Sequence, residues 1–502
     1  MGNLIEHYLE RHGPCLTSEI SDYLTRVHHV TPAAARKRVS RAGLPIRKLS
    51  FITFPHKARF VYLERDFGSP RYWRSLESAL LATKSAYGLA IAALRERGGL
   101  MPAGHFQIAC GAPIKQLRHL SPDTILKRLI RAGLLEVTNV GGLGECVTLA
   151  QEPEHFEKMV ASVRARLITE SLLLKAMKEW IRNLNIGSYD SVATRDDEKV
   201  PQVGTFVWDL SAPSFLGPLL KYAKDGTAKN GFVVCDVLLG PEIDVNGIQP
   251  FIHKCQTLRR LRNVGPCLQI FVADRFTREA FLAAKQNGII PATSLNLFGK
   301  EVAEGLTELT TVLREAAQSI IDPEKFEHLF NKLGKIEGAT NQLRGTLFEF
   351  IVAEIAKRTM PANVRMNRKY KSPDGKRAEA DVVILKEDID IMMIECKGYS
   401  PYAEIPDSLF KRWLQHNVPV CYNSIRAHPE WQNLPARFEF WTTGSLSAES
   451  MALIESANAT VNPRKYTLEV KFNAQIYEAC KATQDVALIE VFERHYMKAV
   501  VE

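Results

Sequence analysis

Apolar and polar positions change their period along this chain, and the changes divide it. Residues 380–400 read ADVVILKEDIDIMMIECKGYS. Two β-branched or bulky apolar runs, 382–385 and 391–394, flank the polar stretch 386–390, which is the signature of a hairpin. A turn centred on Asp388 sets Leu385 opposite Ile391, Val383 opposite Met393 and Asp381 opposite Glu395. Strand side chains alternate, so these odd-numbered positions share one face with Lys397, and Cys396 points to the other. Opposed side chains lie about 5 Å apart at Cβ, so the pattern predicts two carboxylates side by side with a lysine one step along.

Upstream, RGTLFEFIVAEIAKR (344–358) has helical periodicity, with Phe348, Ile351, Val352 and Ile355 as its apolar stripe. Glu349 sits at the edge of that stripe, near the small residues Gly345 and Ala356. Downstream, RFEFWTTGSLSAESMALIESA (437–457) reads as strand, turn and helix. Residues 320–345 read as a helical bridge into this C-terminal region.

The other end of the chain carries a repeat. TPAAARKRVSRAGL (31–44) and SPDTILKRLIRAGL (121–134) share the pattern [ST]-P-x-x-x-x-K-R-[VL]-x-R-A-G-L. Ser or Thr at the N-cap, Pro in the first turn and Gly after the last turn define a helix of about three turns. In the second copy Thr124, Lys127, Arg128 and Arg131 fall on one side, and Ile125, Leu126, Leu129 and Ile130 on the other. The first copy has Arg36 and Ser40 where the second has Leu126 and Ile130. It follows two helical segments and precedes a strand–turn–strand pattern, and the second precedes LLEVTNVGGLGECVTLA, a strand, glycine turn and strand.

Between these ends, residues 153–196 open with long helical periodicity, which reads as a connecting helix whose apolar positions are available to a second subunit. Beyond it TFVWDLS, GFVVCDVLLG and CLQIFVAD read as strands, and QPFIHKCQTLRRL and FTREAFLAAKQNGI as helices. A shift of 170 residues aligns Phe271 with Trp441, Phe276 with Leu446, Thr277 with Ser447 and Glu279 with Glu449. Asp236 then sits on a strand as Asp381 does, yet no Glu-x-Lys follows it.

Composition narrows the classes. The chain has 502 residues, 46% hydrophobic and 24% charged, as a folded multidomain protein should be. A net charge of +9 favours a polyanionic partner. The nine cysteines include no CxxC pair, so neither a zinc site nor a disulfide framework is indicated. No apolar run reaches membrane-spanning length, the first residues lack a basic-then-apolar leader, and the expected setting is cytoplasmic. A glycine-rich GxxxxGK[ST] phosphate loop is absent, so ATP-driven action within the chain is not expected.

Two adjacent carboxylates repel each other unless a cation sits between them. Mg²⁺ (or Mn²⁺) suits them as a hard ion with oxygen ligands, and the neighbouring lysine can then orient or deprotonate an attacking water. Asp381 followed by Glu395-x-Lys397 at the end of the next strand resembles the PD-(D/E)xK nuclease superfamily, whose fold is restriction-endonuclease-like. The resemblance implies Asp381 and Glu395 as metal ligands and Lys397 as the water-activating residue. Glu349 would be a further ligand or a partner behind the metal. Ala380 stands where the family nominally has proline.

The two N-terminal regions resemble winged-helix domains, which implies that each repeat helix lies in a DNA major groove. The candidate DNA contacts are Lys37, Arg38, Arg41, Lys127, Arg128 and Arg131, with His56, Lys57 and Arg59 on the first wing. Most of these are expected to touch phosphate.

The expected organisation is multidomain α/β and α+β. Winged helices occupy 1–72 and 73–152, connecting helices 153–198, a central α/β domain 199–318, and a restriction-endonuclease-like α/β domain 319–502. The central domain is either an inactive nuclease-like copy or an unrelated α/β domain. The expected activity is metal-dependent endonuclease cleavage of double-stranded DNA, in restriction or other antiviral defence or in a mobile element. A homodimer would supply two active sites for two strands, and a regulatory or activating protein partner is expected because a free nuclease endangers its host. The alternatives are a DNA-binding regulator or assembly subunit on a non-catalytic nuclease fold, and a nuclease for RNA or branched DNA.

Overall fold

The repeat helices form where their caps predict, and they differ in how they are anchored. The computed structural model describes residues 4–83, 85–150, 156–222, 228–316, 339–360, 362–386 and 389–497, with isolated positions between 328 and 336. In the helix Pro122–Arg131, the Ser121 hydroxyl accepts a hydrogen bond from the Thr124 N–H, and Ile125 and Leu129 are fully buried. In the helix Pro32–Arg41, Thr31 makes no side-chain cap, and only Ala35 and Val39 are buried. Two expectations for the second copy need correction. Ile130 is exposed, and Leu126 is only partly covered.

Around these helices lie the other N-terminal elements. Helices Leu4–His12 and Thr17–His28 precede the first copy, and a three-stranded sheet of Cys15–Leu16, Phe60–Leu63 and Ile46–Lys48 follows around it. Helices Ala86–Glu96 and Ala103–Ala109 precede the second copy, with a sheet ordered Leu100–Pro102, Gly144–Leu149, Leu135–Val140. The architecture is multidomain and mixed α/β, and the chain divides into two compact units. One unit comprises residues 1–138, 145–163 and 177–297, and the other 139–144, 164–176 and 298–502.

The helix Phe156–Asn183 uses its apolar positions within the chain: Leu172, Leu173, Leu174, Met177 and Ile181 are fully buried. They are therefore not available to a second subunit as the sequence suggested. The bridge expected over 320–345 falls mostly outside the described residues, and from Ala339 onward the chain is helical.

Two five-stranded sheets dominate, one in each unit. The central sheet uses β1 (Ala193–Thr194), β2 (Leu210–Ser214), β3 (Gly231–Ile243), β4 (Cys267–Phe276) and β5 (Ile290–Thr293). The C-terminal sheet uses β6 (Asn363–Lys371), β7 (Arg377–Lys386), β8 (Asp390–Lys397), β9 (Ala436–Thr442) and β10 (Tyr466–Lys471). Both sheets keep sequence order, with two antiparallel pairings followed by two parallel ones. Helix Val245–Arg259 joins β3 to β4, and Arg278–Gln286 joins β4 to β5. In the C-terminal sheet the joining segments are Asp407–Ala427 and Ala448–Thr460.

The β7–β8 register pairs Leu385 with Ile391 and Val383 with Met393, as the hydrophobic pattern required. The Asp388 turn itself lies outside the described residues. Helix Ala339–Thr359 covers one face, where Phe348, Ile351, Val352 and Ile355 are completely buried, worth roughly 2 kcal/mol each. Close approach is secured at Gly398 rather than at Gly345. A Cβ on Gly398 would lie 2.3 Å from Phe348 Cβ, whereas one on Gly345 meets nothing nearer than 3.9 Å.

Candidate active site

The last regular β7–β8 pair is Val382 with Ile394, and the next residue on each strand is Asp381 and Glu395. Here the strands part, and side chains replace the backbone ladder. One Asp381 carboxylate oxygen accepts a 2.7 Å hydrogen bond from the Cys396 N–H. That bond fixes the carboxylate beside the end of β8. Lys397 returns from two residues farther on, and its Nζ lies 2.7 Å from Glu395 Oε1, 3.1 Å from the Cys396 carbonyl and 3.6 Å from Asp381 Oδ2. Three oxygens from two strands thus converge on one cationic nitrogen. The three side chains remain between 13% and 18% exposed, so solvent touches them.

The electrostatics follow from that crowding. Burial and the charge of Asp381 raise the Glu395 carboxyl above its usual range, although Lys397 opposes them. Burial alone would lower the Lys397 ammonium, yet Asp381 and Glu395 outweigh it and hold the lysine firmly protonated. Glu349, from the helix Ala339–Thr359, is pushed up to about 8 by burial and by Asp381, against the attraction of Arg164. Arg164, 185 residues earlier in the chain, donates to Glu349 Oε2 at 3.2 Å.

Asp381, Glu395 and Lys397 therefore come together, while Glu349 pairs with Arg164 and feels the charge of Asp381. Among the described residues no group of three or more His, Cys, Asp and Glu side chains closes into a metal-holding set. The oxygen donors that converge, two carboxylates and one carbonyl, are those a hard divalent cation takes while keeping several waters. They fit Mg²⁺ or Mn²⁺, with the ammonium marking where positive charge is favoured. Cys396 is buried, and all nine cysteines are free.

Sequence reasoning missed two polar partners. Asn417 donates to Glu395 Oε2 at 3.3 Å from a π-helical turn, Trp413–Asn417. Such a turn inserts a residue into a helix and re-aims a side chain, often at a functional site. Arg164 carries no local signal, since it lies 185 residues before Glu349 in the chain, within the same compact unit.

The candidate DNA contacts sort by exposure. Lys37, Arg38 and Arg41 project from the first repeat helix, and His56, Lys57 and Arg59 from the turn between Lys48 and Phe60, all exposed. Arg36, Lys48, His56, Lys57 and Arg59 line one cleft of about 820 Å³ beside Asp22 and Thr25. In the second copy, Lys127 is paired with Asp123 at 2.7 Å and Arg131 is exposed. Arg128 instead donates to the Tyr87 hydroxyl at 2.9 Å, so it braces the domain and is not presented as the sequence suggested.

No protein-family model, no curated protein and no solved structure matches the chain. Among the described residues, no helix is long and apolar enough to cross a membrane.

Proposed function

We propose that the chain is a metal-dependent endonuclease of the PD-(D/E)xK type that hydrolyses phosphodiester bonds in double-stranded DNA. The observation that carries this reading is the meeting of Asp381, Glu395 and the Cys396 carbonyl around Lys397 Nζ, at a water-accessible point where two strands part. Asp381, Glu395 and the carbonyl would hold the cation. When bound, a divalent cation supplies Lewis-acid charge that acidifies water and offsets the charge of the phosphate.

Lys397 orients the attacking water in line with the leaving oxygen. It also donates hydrogen bonds to a phosphate oxygen as negative charge develops there. Held as an ammonium by the two carboxylates, Lys397 acts as a donor throughout: the attacking water's proton passes to solvent water, and the leaving oxygen takes a proton from solvent as its bond to phosphorus breaks. Asn417 keeps Glu395 aimed during this exchange. Glu349 and Arg164 add to the field at the site.

The N-terminal segments act in this account as winged-helix modules on the duplex, with Lys37, Arg38, Arg41, Lys57, Arg59, Lys127 and Arg131 on phosphates. Restriction or antiviral defence, a homodimeric working form, an activating partner and a cytoplasmic setting complete the proposal. One observation favours a second reading: Lys397 already neutralises the carboxylates it touches. A DNA-binding regulator on a non-catalytic fold would need nothing more.

The test is incubation of plasmid and linear duplex DNA with Mg²⁺ or Mn²⁺, then with EDTA, beside Lys397→Ala. Metal-dependent cutting that the variant lacks is expected. Retarded but intact DNA under every condition would favour the regulator.

A further inference from the structure

The central sheet repeats the C-terminal constellation position by position. The last regular β2–β3 pair is Leu210 with Cys235, and the next residues are Asp209 and Asp236. Asp381 and Glu395 occupy the same two places at the end of the β7–β8 ladder. Asp209 Oδ2 accepts a 2.8 Å hydrogen bond from the N–H of Val237, the residue after the second acid. Asp381 Oδ2 does the same with Cys396. Across the next, parallel pairing, Asp236 stands beside Phe271 and Glu395 beside Phe440. The following helix begins at a capping Thr277 in one sheet and a capping Ser447 in the other. Asp236 is thus the counterpart of Glu395, and Asp209 that of Asp381.

The cations differ. The position two beyond the second acid is Leu238, completely buried, where the C-terminal sheet has Lys397. A lysine arrives from the joining helix instead: Lys254 Nζ lies 2.6 Å from Asp236 Oδ2, 3.2 Å from the Ile108 carbonyl and 3.9 Å from the centre of the Trp208 ring. The corresponding helical segment of the C-terminal sheet sends Asn417 to Glu395. Arg195 pairs with Asp209 at 2.9 Å. All four charged side chains are 4% exposed or less. The C-terminal acids stay more open: the side chains of Asp381, Glu395 and Lys397 are 13–18% exposed, and a third acidic side chain, Glu349, pairs with Arg164.

We infer that the central sheet is a second copy of the same framework in which Arg195 and Lys254 permanently fill the cation place, so that it takes up no divalent ion and hydrolyses nothing. Its acid pair has become a structural ion network, because removing either cation would leave a buried, uncompensated carboxylate. One chain then has a single competent centre, and cutting both strands of a duplex takes two binding events or two chains. The inference rests on the nuclease reading only for what the C-terminal centre does.

Mn²⁺ binding to the full chain tests it, followed by the loss of the free-ion electron paramagnetic resonance signal. The proteins are the wild type, Asp381→Asn/Glu395→Gln and Asp236→Asn, which keeps an oxygen toward Lys254. Asp236→Leu/Lys254→Met, which removes the pair together, serves as a second probe, and circular dichroism checks each fold. The expected result is that Asp381→Asn/Glu395→Gln weakens Mn²⁺ binding by roughly 100-fold or more, while the Asp236 variants match the wild type. Mn²⁺ binding that survives the C-terminal substitutions and is lost in either Asp236 variant overturns the inference. No binding by the wild type would overturn the nuclease reading and agree with a closed central site.

Discussion

The two sheets pose one electrostatic problem and solve it differently. Each brings a pair of carboxylates together where two antiparallel strands separate, and each ties the first acid to the backbone N–H after the second. In the central sheet the pair is sealed with an arginine and a lysine at 4% exposure or less. In the C-terminal sheet the pair stays at 13–16% exposure with one lysine in contact with both members. A sealed ion network stabilises a fold, whereas a more exposed one leaves its charged groups within reach of solvent ions. The two sites differ in access and in where the cation comes from, while strand topology is shared.

The comparison breaks most sharply at its two lysines. Lys397→Ala should lower cleavage by about 10²–10⁴-fold while leaving the thermal midpoint in Mg²⁺ nearly unchanged, as calorimetry alongside a single-turnover assay would show. Lys254→Met should do the reverse. Stripped of its partner at 2.6 Å, buried Asp236 costs about 3–5 kcal/mol of stability, read as a shift in the denaturant midpoint. If Lys254→Met abolished cutting in a fully folded protein, the two sites would not have the separate roles assigned to them.

A smaller effect concerns Glu349. Its carboxyl is raised to about 8 in the folded chain, so the stability present below the ordinary carboxylate range is lost as pH rises toward and through 8. Without divalent cations the wild type should therefore become less stable from pH 5 to pH 8.5. Glu349→Gln, which has no charge to bury, should melt roughly 2–4 °C higher than the wild type at pH 8.5 and show little difference at pH 4. An equal gain at both pH values would assign the effect to packing.

The smallest expected effect lies at the N-terminal helices. Reversing Lys127 and Arg131 to Glu should weaken duplex binding and flatten its salt dependence, whereas Arg128→Lys should act through stability because Arg128 braces Tyr87. Salt titrations by fluorescence anisotropy separate the two.

Much of the C-terminal site could be read from the chain because it rests on a period of two. Once the runs 382–385 and 391–394 pair, Asp381, Glu395 and Lys397 must share a face, and a slip of one residue would turn the apolar set outward. The polar partners that complete it were not legible. Asn417 depends on a π-helical turn and Arg164 on a helix far away in sequence, and neither leaves a local pattern.

The likeness between the two sheets was half legible. The cap residues Thr277 and Ser447 align at a shift of 170, as the sequence comparison has them. The strands align one residue differently, with Phe271 matching Phe440 and not Trp441. Sequence comparison also likened Asp236 to Asp381 and found no Glu-x-Lys after it. Strand pairing makes Asp209 the first acid, and Lys254 reaches Asp236 from a helix, where no spacing rule along a strand could find it.

The most direct test of the account is the single-turnover cleavage rate of an end-labelled duplex in Mg²⁺ by the wild type and by Glu395→Gln, which keeps the shape of the side chain that joins Lys397 and Asn417. The account predicts cutting by the wild type and a loss of at least about a hundredfold in the variant, with its DNA affinity preserved. Undiminished cutting by Glu395→Gln would contradict it.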